Sequence, residues 1–135
     1  MDLYADNILD HYRNPRNKGP LPKANIEHTE LNANCGDSLS LRLSLKGKKI
    51  EEARWQGTGC AISQAGMSLL SEELAGMSLK DAAALPPSRI YGLLGVPVGP
   101  RRTKCALLCL HALKNTIHKH EGKPPQSWTE TLGQE

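Results

Sequence analysis

A chain of 135 residues, 39% of them hydrophobic, can bury one core without staples and reads as a single domain. A net charge of +3, 4% aromatic residues and no lysine- or arginine-rich run argue against nucleic acid as a partner. No apolar run is long enough to span a membrane, and Met1-Asp2-Leu3-Tyr4-Ala5-Asp6 is not a basic-then-apolar leader, so the expectation is a cytoplasmic protein without membrane contact.

In chain order, Leu3 to Tyr12 fits an amphipathic helix with Leu3, Ile8, Leu9 and Tyr12 as its apolar positions. Asn14-Pro15-Arg16-Asn17-Lys18-Gly19-Pro20 breaks it, and Ile26 to Leu31 predicts a strand. Leu39, Leu41, Leu43 and Leu45 alternate with Ser38, Ser40, Arg42, Ser44 and Lys46, the period of a half-buried strand. After a turn at Gly47, Ala53, Trp55 and Gly57 alternate with Glu52, Arg54 and Gln56 as the returning strand. Ala61 to Ala75 is helical and closed by Gly76, and Ser78 with Asp81 marks the start of a short helix that Pro86-Pro87 stops. Tyr91 to Pro100 predicts a loop, Thr103 to Glu121 the longest helix, and Lys123 to Glu135 a loose tail. The fold class is α+β: a small antiparallel three-stranded sheet packed by helices, with residues 1–122 as the domain and 123–135 as a flexible appendage.

Chemistry concentrates on three cysteines placed where the backbone turns. Four cysteines spaced 25, 45 and 4 residues apart make neither a dense disulfide framework nor a Cys-x-x-Cys pair. In Asn34-Cys35-Gly36-Asp37 the glycine lets a thiolate and a carboxylate face one centre. Cys60 follows Gly57-Thr58-Gly59 at a strand-to-helix junction, where free N–H groups and the helix dipole favour a thiolate. Cys105 opens the last helix behind Arg101, Arg102 and Lys104, and all three thiols are expected to be exposed and ionisable. Three thiolates and one carboxylate complete a tetrahedral zinc site, or three anchor a partly exposed iron–sulfur cluster. The competing reading is three unrelated reduced cysteines, with Gly36 and Gly59 serving only turns. Cys109 shares an apolar stripe with Leu108 and Ala112 and reads as a core thiol. His11, His28, His111, His118 and His120 have no mutual ligand spacing and read as structural or solvent-facing.

Four strings in order resemble the IscU/SufU/NifU N-terminal-domain family of iron–sulfur cluster assembly proteins. They are Asn14-Pro15-Arg16-Asn17-Lys18-Gly19, Asn34-Cys35-Gly36-Asp37, Gly57-Thr58-Gly59-Cys60-Ala61-Ile62-Ser63 and Lys104-Cys105-Ala106-Leu107-Leu108. The resemblance covers Leu3 to Glu121 and implies a SufE/NifU-like α+β domain whose three cysteines meet at one exposed end. It also implies a scaffold that takes sulfur from a cysteine desulfurase, with Cys35 and Cys105 as candidate acceptors. Cys35, Cys60 and Cys105 would assemble a transient two-iron cluster (2Fe-2S) for transfer to apo iron–sulfur proteins. The IscU and NifU branches place histidine just before the third cysteine, and here Lys104 stands in that place. That residue and the Gly-x-Gly-Cys string look like the SufU branch, in which zinc is held by the positions corresponding to Cys35, Asp37, Cys60 and Cys105. The extra segment usual in that branch before the third cysteine is not present in full. Val96-Pro97-Val98-Gly99-Pro100 replaces the Leu-Pro-Pro-Val-Lys chaperone string of the IscU branch, which argues against dependence on the dedicated chaperone. The expectation is therefore a scaffold rather than an enzyme, binding iron or zinc. A zinc-dependent sulfurtransferase is the first alternative and a structural zinc-binding interaction module the second.

Overall fold

Leu39, Leu41 and Leu43 are fully buried, and their alternation dictates which face of the sheet carries the core. Removing each of them from water is worth about 1.5–3 kcal/mol. A computed structural model describes residues 3–32 and 36–133, with Cys35 outside that set. Its elements are α1 (Leu3–Arg13), β1 (Ile26–Asn32), β2 (Asp37–Lys46), β3 (Lys49–Thr58), α2 (Ala61–Leu74), α3 (Leu79–Ala83), α4 (Pro87–Leu94), α5 (Thr103–His120) and α6 (Trp128–Leu132). The sheet is antiparallel in the order β1-β2-β3, as the alternation requires. Register pairs Asn32 with Asp37 at one end of the sheet, and the turn at Gly47 closes the β2–β3 hairpin at the other.

The Asn-Pro-Arg-Asn-Lys-Gly string has a structural use. Asn17, with φ 58°, lets the chain run along the β3 edge, where Trp55 N donates to Asn17 O at 3.0 Å and Gly19 N donates to Trp55 O at 2.9 Å. The indole of Trp55 donates to Arg16 O at 2.8 Å, so its one polar atom is satisfied inside the core.

α5 departs from a one-sided helix. Cys105 through Ile117 are all buried, because the helix is packed by β1, β2, α2, α3, α4 and α6. Gly66 of α2 lets that helix approach closely: a Cβ there would sit 3.4 Å from the Cys109 sulfur. α1 also differs from expectation, since Ile8 and His11 face inward while Leu9 and Tyr12 are exposed. Ser68 explains the inward histidine, lying 2.7 Å from His11 Nδ1.

Two expectations of irregular chain are corrected in part. The loop expected over Tyr91 to Pro100 is irregular from Gly95 to Gly99, but its first four residues close α4 (87–94), because Pro87 occupies the first helical position and Gly95, at φ 70°, supplies the left-handed cap. The proline and glycine mark its ends rather than break it. Residues 123–133 are not loose. Ser127 and Glu130 form a reciprocal capping box on α6, and Trp128 stacks on His111 with centroids 4.0 Å apart. Thr131 Oγ1 lies 2.6 Å from His111 Nδ1, and Gln126 N donates to Asn115 Oδ1 at 2.6 Å. Five helical residues have no stability alone, and these tertiary contacts supply it.

A chain ending at Gly122 should lose about 2–3 kcal/mol of unfolding free energy in urea titration, since His111 and Asn115 would lose their partners and Trp128 its contact. Burial lowers the pKa of both His11 and His111 below the usual 6.5. The unfolded chain therefore binds protons first, so stability present above about pH 6.5 is lost as pH falls through the folded-state values. The urea midpoint should drop between pH 7.5 and pH 5, and His11→Gln should reduce that drop.

Candidate metal centre

The site is built where β2 begins, β3 ends and two helices start. Gly36, at φ 69°, turns the chain into Asp37, the first residue of β2, which is 1% exposed. A buried carboxylate must be satisfied, and Asp37 Oδ1 accepts the backbone N–H of Cys60 at 2.9 Å. That bond requires glycine at position 59. A Cβ on Gly59, whose φ is 143°, would fall on the Asp37 side chain, 2.8 Å from its Cγ and 3.0 Å from its Cα. Gly57 is equally constrained, its Cβ direction occupied by Ser38 and by Leu39 Cδ2 at 2.7 Å. Both glycines of the Gly-x-Gly-Cys string are thus fixed by strand packing.

Cys60 is the N-cap of α2 in extended conformation, is exposed, and gives the helix no side-chain capping bond, so its sulfur remains available. Its Sγ lies 3.8 Å from Asp37 Oδ2. Cys105, the third residue of α5, faces inward and is 4% exposed, which corrects the expectation of an open thiol. Its burial follows from its position on a helix packed on most sides. It is still reached through a pocket of about 460 Å³, lined by Cys60, Ala61, Ile62, Arg101, Arg102 and Cys105.

One ligand atom from each of Asp37, Cys60 and Cys105 lies within 4.8 Å of the others, the one such grouping of metal-binding side chains among the described residues. Thiolates bonded to one zinc at about 2.3 Å sit roughly 3.8 Å apart, so modest closure suffices for a shared ion. The donor set fits zinc or an iron–sulfur cluster: thiolate sulfur suits both, and one carboxylate oxygen suits a site that must release its metal. Cys35 precedes Asp37 by two residues and lies outside the described residues.

Asn32 was not legible as a site residue. It is 3% exposed, opposite Asp37 in register, with its Nδ2 3.9 Å from Cys105 Sγ. It sits in no recognisable string, and only the β1–β2 register would have pointed to it. The ammonium of Lys104 lies 5.7 Å from the centroid of the Trp128 ring, a cation–π contact that engages it outside the ligand group.

The remaining candidates take structural roles. Cys109 is fully buried, with its pKa pushed up to about 12 by loss of solvent, so it stays a thiol. His28 pairs with Glu30 at 2.7 Å, and His118 Nδ1 lies 2.8 Å from Pro124 O. None of the five histidines joins the ligand group.

Residues 3–127 match the family model described as the NifU-like N terminal domain. The chain is 34% identical to the zinc-dependent sulfurtransferase SufU of Bacillus subtilis, the match covering 89% of this chain and 92% of that protein. It is equally 34% identical to the iron–sulfur cluster assembly scaffold protein IscU of Haemophilus influenzae, over 89% of this chain and 97% of the relative. A putative scaffold protein for the SUF system from Fervidobacterium islandicum shares the fold, with a TM-score of 0.74 at 23% identity over 83% of this chain and 94% of that one. An α+β domain with its ligand side chains gathered at one end of a three-stranded sheet is an iron–sulfur assembly type of domain. The chain belongs to the NifU-like N-terminal domain family.

Asp37→Ala should weaken zinc binding at least about tenfold in chelator competition at neutral pH, while Lys104→Ala should leave it nearly unchanged. Cys109→Ser should cost about 1–3 kcal/mol of stability by burying a hydroxyl, with zinc affinity intact.

Proposed function

We propose that this protein is an iron–sulfur cluster assembly scaffold that receives sulfur from a cysteine desulfurase and passes a transient 2Fe-2S cluster to apo-proteins. The observation that carries this reading is the meeting of Asp37, Cys60 and Cys105 within 4.8 Å beside an open pocket. Cys35, Cys60 and Cys105 would hold the cluster as cargo, and Asp37 would keep it exchangeable, since an oxygen donor holds soft metal less tightly than a fourth thiolate. In sulfur acceptance a thiolate of Cys35 or Cys105 attacks the outer sulfur of the desulfurase persulfide. The S–S bond breaks and the desulfurase cysteine leaves as thiolate, so no outside oxidant or reductant enters. No described helix is long and apolar enough to cross a membrane.

A second reading is favoured by one observation. No histidine stands in the ligand group, and the residue before Cys105 is a lysine whose ammonium rests on Trp128. A site of thiolates with one aspartate suits zinc, which would fix the ligand loops, and the same thiols would then accept persulfide without assembling iron.

Anaerobic incubation with ferrous iron, cysteine and a desulfurase separates the two. The scaffold should develop the visible absorption of a 2Fe-2S cluster with two irons and two sulfides per cluster. Retained zinc, persulfide on a thiol and no cluster absorption would establish the second reading instead. In mass spectrometry, Cys35→Ser or Cys105→Ser should remove most added sulfur and Cys109→Ser almost none. Loss of capture in Cys109→Ser alone would contradict the assignment of acceptors.

A further inference from the structure

The end of the molecule away from the cysteines carries a second surface feature. β2 runs ten residues from Asp37 to Lys46, and α5 runs eighteen from Thr103 to His120. At about 3.3 Å per strand residue and 1.5 Å per helical residue, the β2–β3 turn lies roughly 30 Å from Asp37 and the end of α5 roughly 22 Å from Cys105. Between them opens a pocket of about 720 Å³, larger than the one beside Cys60.

Four basic side chains line it, from three parts of the chain: Lys48 in the hairpin turn, Lys80 on α3, and His120 and Lys123 at the end of α5 and just after it. Leu79 and Ala83 supply apolar wall. The carboxylate that lines the pocket, Glu121, is taken by Lys123 at 3.3 Å. Beneath it, Lys114 is 2% exposed and donates to Ala83 O at 2.8 Å, with no carboxylate within 4 Å among the described residues. Burial lowers its pKa. Any charge it carries adds to the positive field under the pocket.

The frame holding these groups is hydrogen bonded rather than loose. Leu79 N donates to Lys48 O at 2.9 Å, Ile50 N to Met77 O at 2.9 Å, and Lys123 N to His118 O at 2.8 Å. The separation of Lys48 from Lys80 is therefore set by backbone contacts between two segments, unlike that of lysines on one flexible strand. Neither the metal centre nor sulfur transfer uses any of these residues.

We propose that this pocket is a docking site for an acidic peptide segment of a partner protein: carboxylates meet Lys48 and Lys80, and one aliphatic side chain rests on Leu79 and Ala83. Its distance from Cys60 and Cys105 lets a partner stay bound while the cysteine end exchanges sulfur or metal. The surface stands independently of what the cysteine end carries.

The test uses the full chain and a fluorescein-labelled nonapeptide of aspartate and glutamate with one central leucine, read by anisotropy in 50 mM salt. Lys48→Glu/Lys80→Glu should weaken binding at least tenfold, and Leu→Ser in the peptide should weaken it severalfold. Arg101→Glu/Arg102→Glu, at the far end, should change it less than twofold. All four replaced side chains are exposed, and circular dichroism with zinc titration verifies that each variant is folded and keeps its metal site. Equal losses from the two double variants would overturn the proposal, since they would reveal attraction to net charge alone. Absence of peptide binding to the wild type, or tighter binding of a nine-nucleotide oligothymidine at this pocket, would also overturn it.

Discussion

The carboxylate of Asp37 accepting the Cys60 amide is the contact on which the cysteine end of this protein depends. It joins the first residue of β2 to the residue that starts α2, and so fixes the strand-to-helix junction. It satisfies a buried charge with a backbone donor at a helix N-terminus, where the dipole also favours negative charge. The same carboxylate has its second oxygen 3.8 Å from the Cys60 sulfur. One side chain thereby serves the fold and offers a metal ligand. Gly57 and Gly59 follow as consequences, because no larger residue lets the junction approach β2.

α5 supplies the other half of the constraint. A helix buried from Cys105 to Ile117 cannot shift without disturbing every layer, so Cys105 is held on a rigid element. Cys60 sits at a helix end, where backbone adjustment is cheaper. A rigid thiol at Cys105 beside one at a helix end lets the site keep its shape while changing what it holds. The α6 segment reinforces α5 from outside: Trp128 lies against His111 and takes the Lys104 ammonium.

Much of this was legible in the residues. The leucine alternation in β2 and the returning Ala53-Trp55 alternation specify the sheet, because period-two burial has no other cheap explanation. The glycine-flanked cysteines pointed to Asp37, Cys60 and Cys105, and the geometry brings those three together. What escaped depends on contacts distant in sequence. α4 was hidden because Pro87 and Gly95 are read as breakers unless their places at helix ends are known. α6 is too short for periodicity and exists through His111, Asn115 and Thr131. The burial of Cys105 and the role of Asn32 follow from how β1 and α5 pack, which neither local string encodes.

The proposed site holds one ion or cluster by sulfur and one carboxylate, without histidine. X-ray absorption at the zinc K edge of the zinc-loaded protein measures that directly. The prediction is three sulfur scatterers at about 2.3 Å and one oxygen at about 2.0–2.2 Å, the oxygen replaced or lost in Asp37→Ala. Outer-shell scattering from an imidazole ring, or four sulfurs in the wild type, would contradict the assignment of Asp37 and with it the site described above.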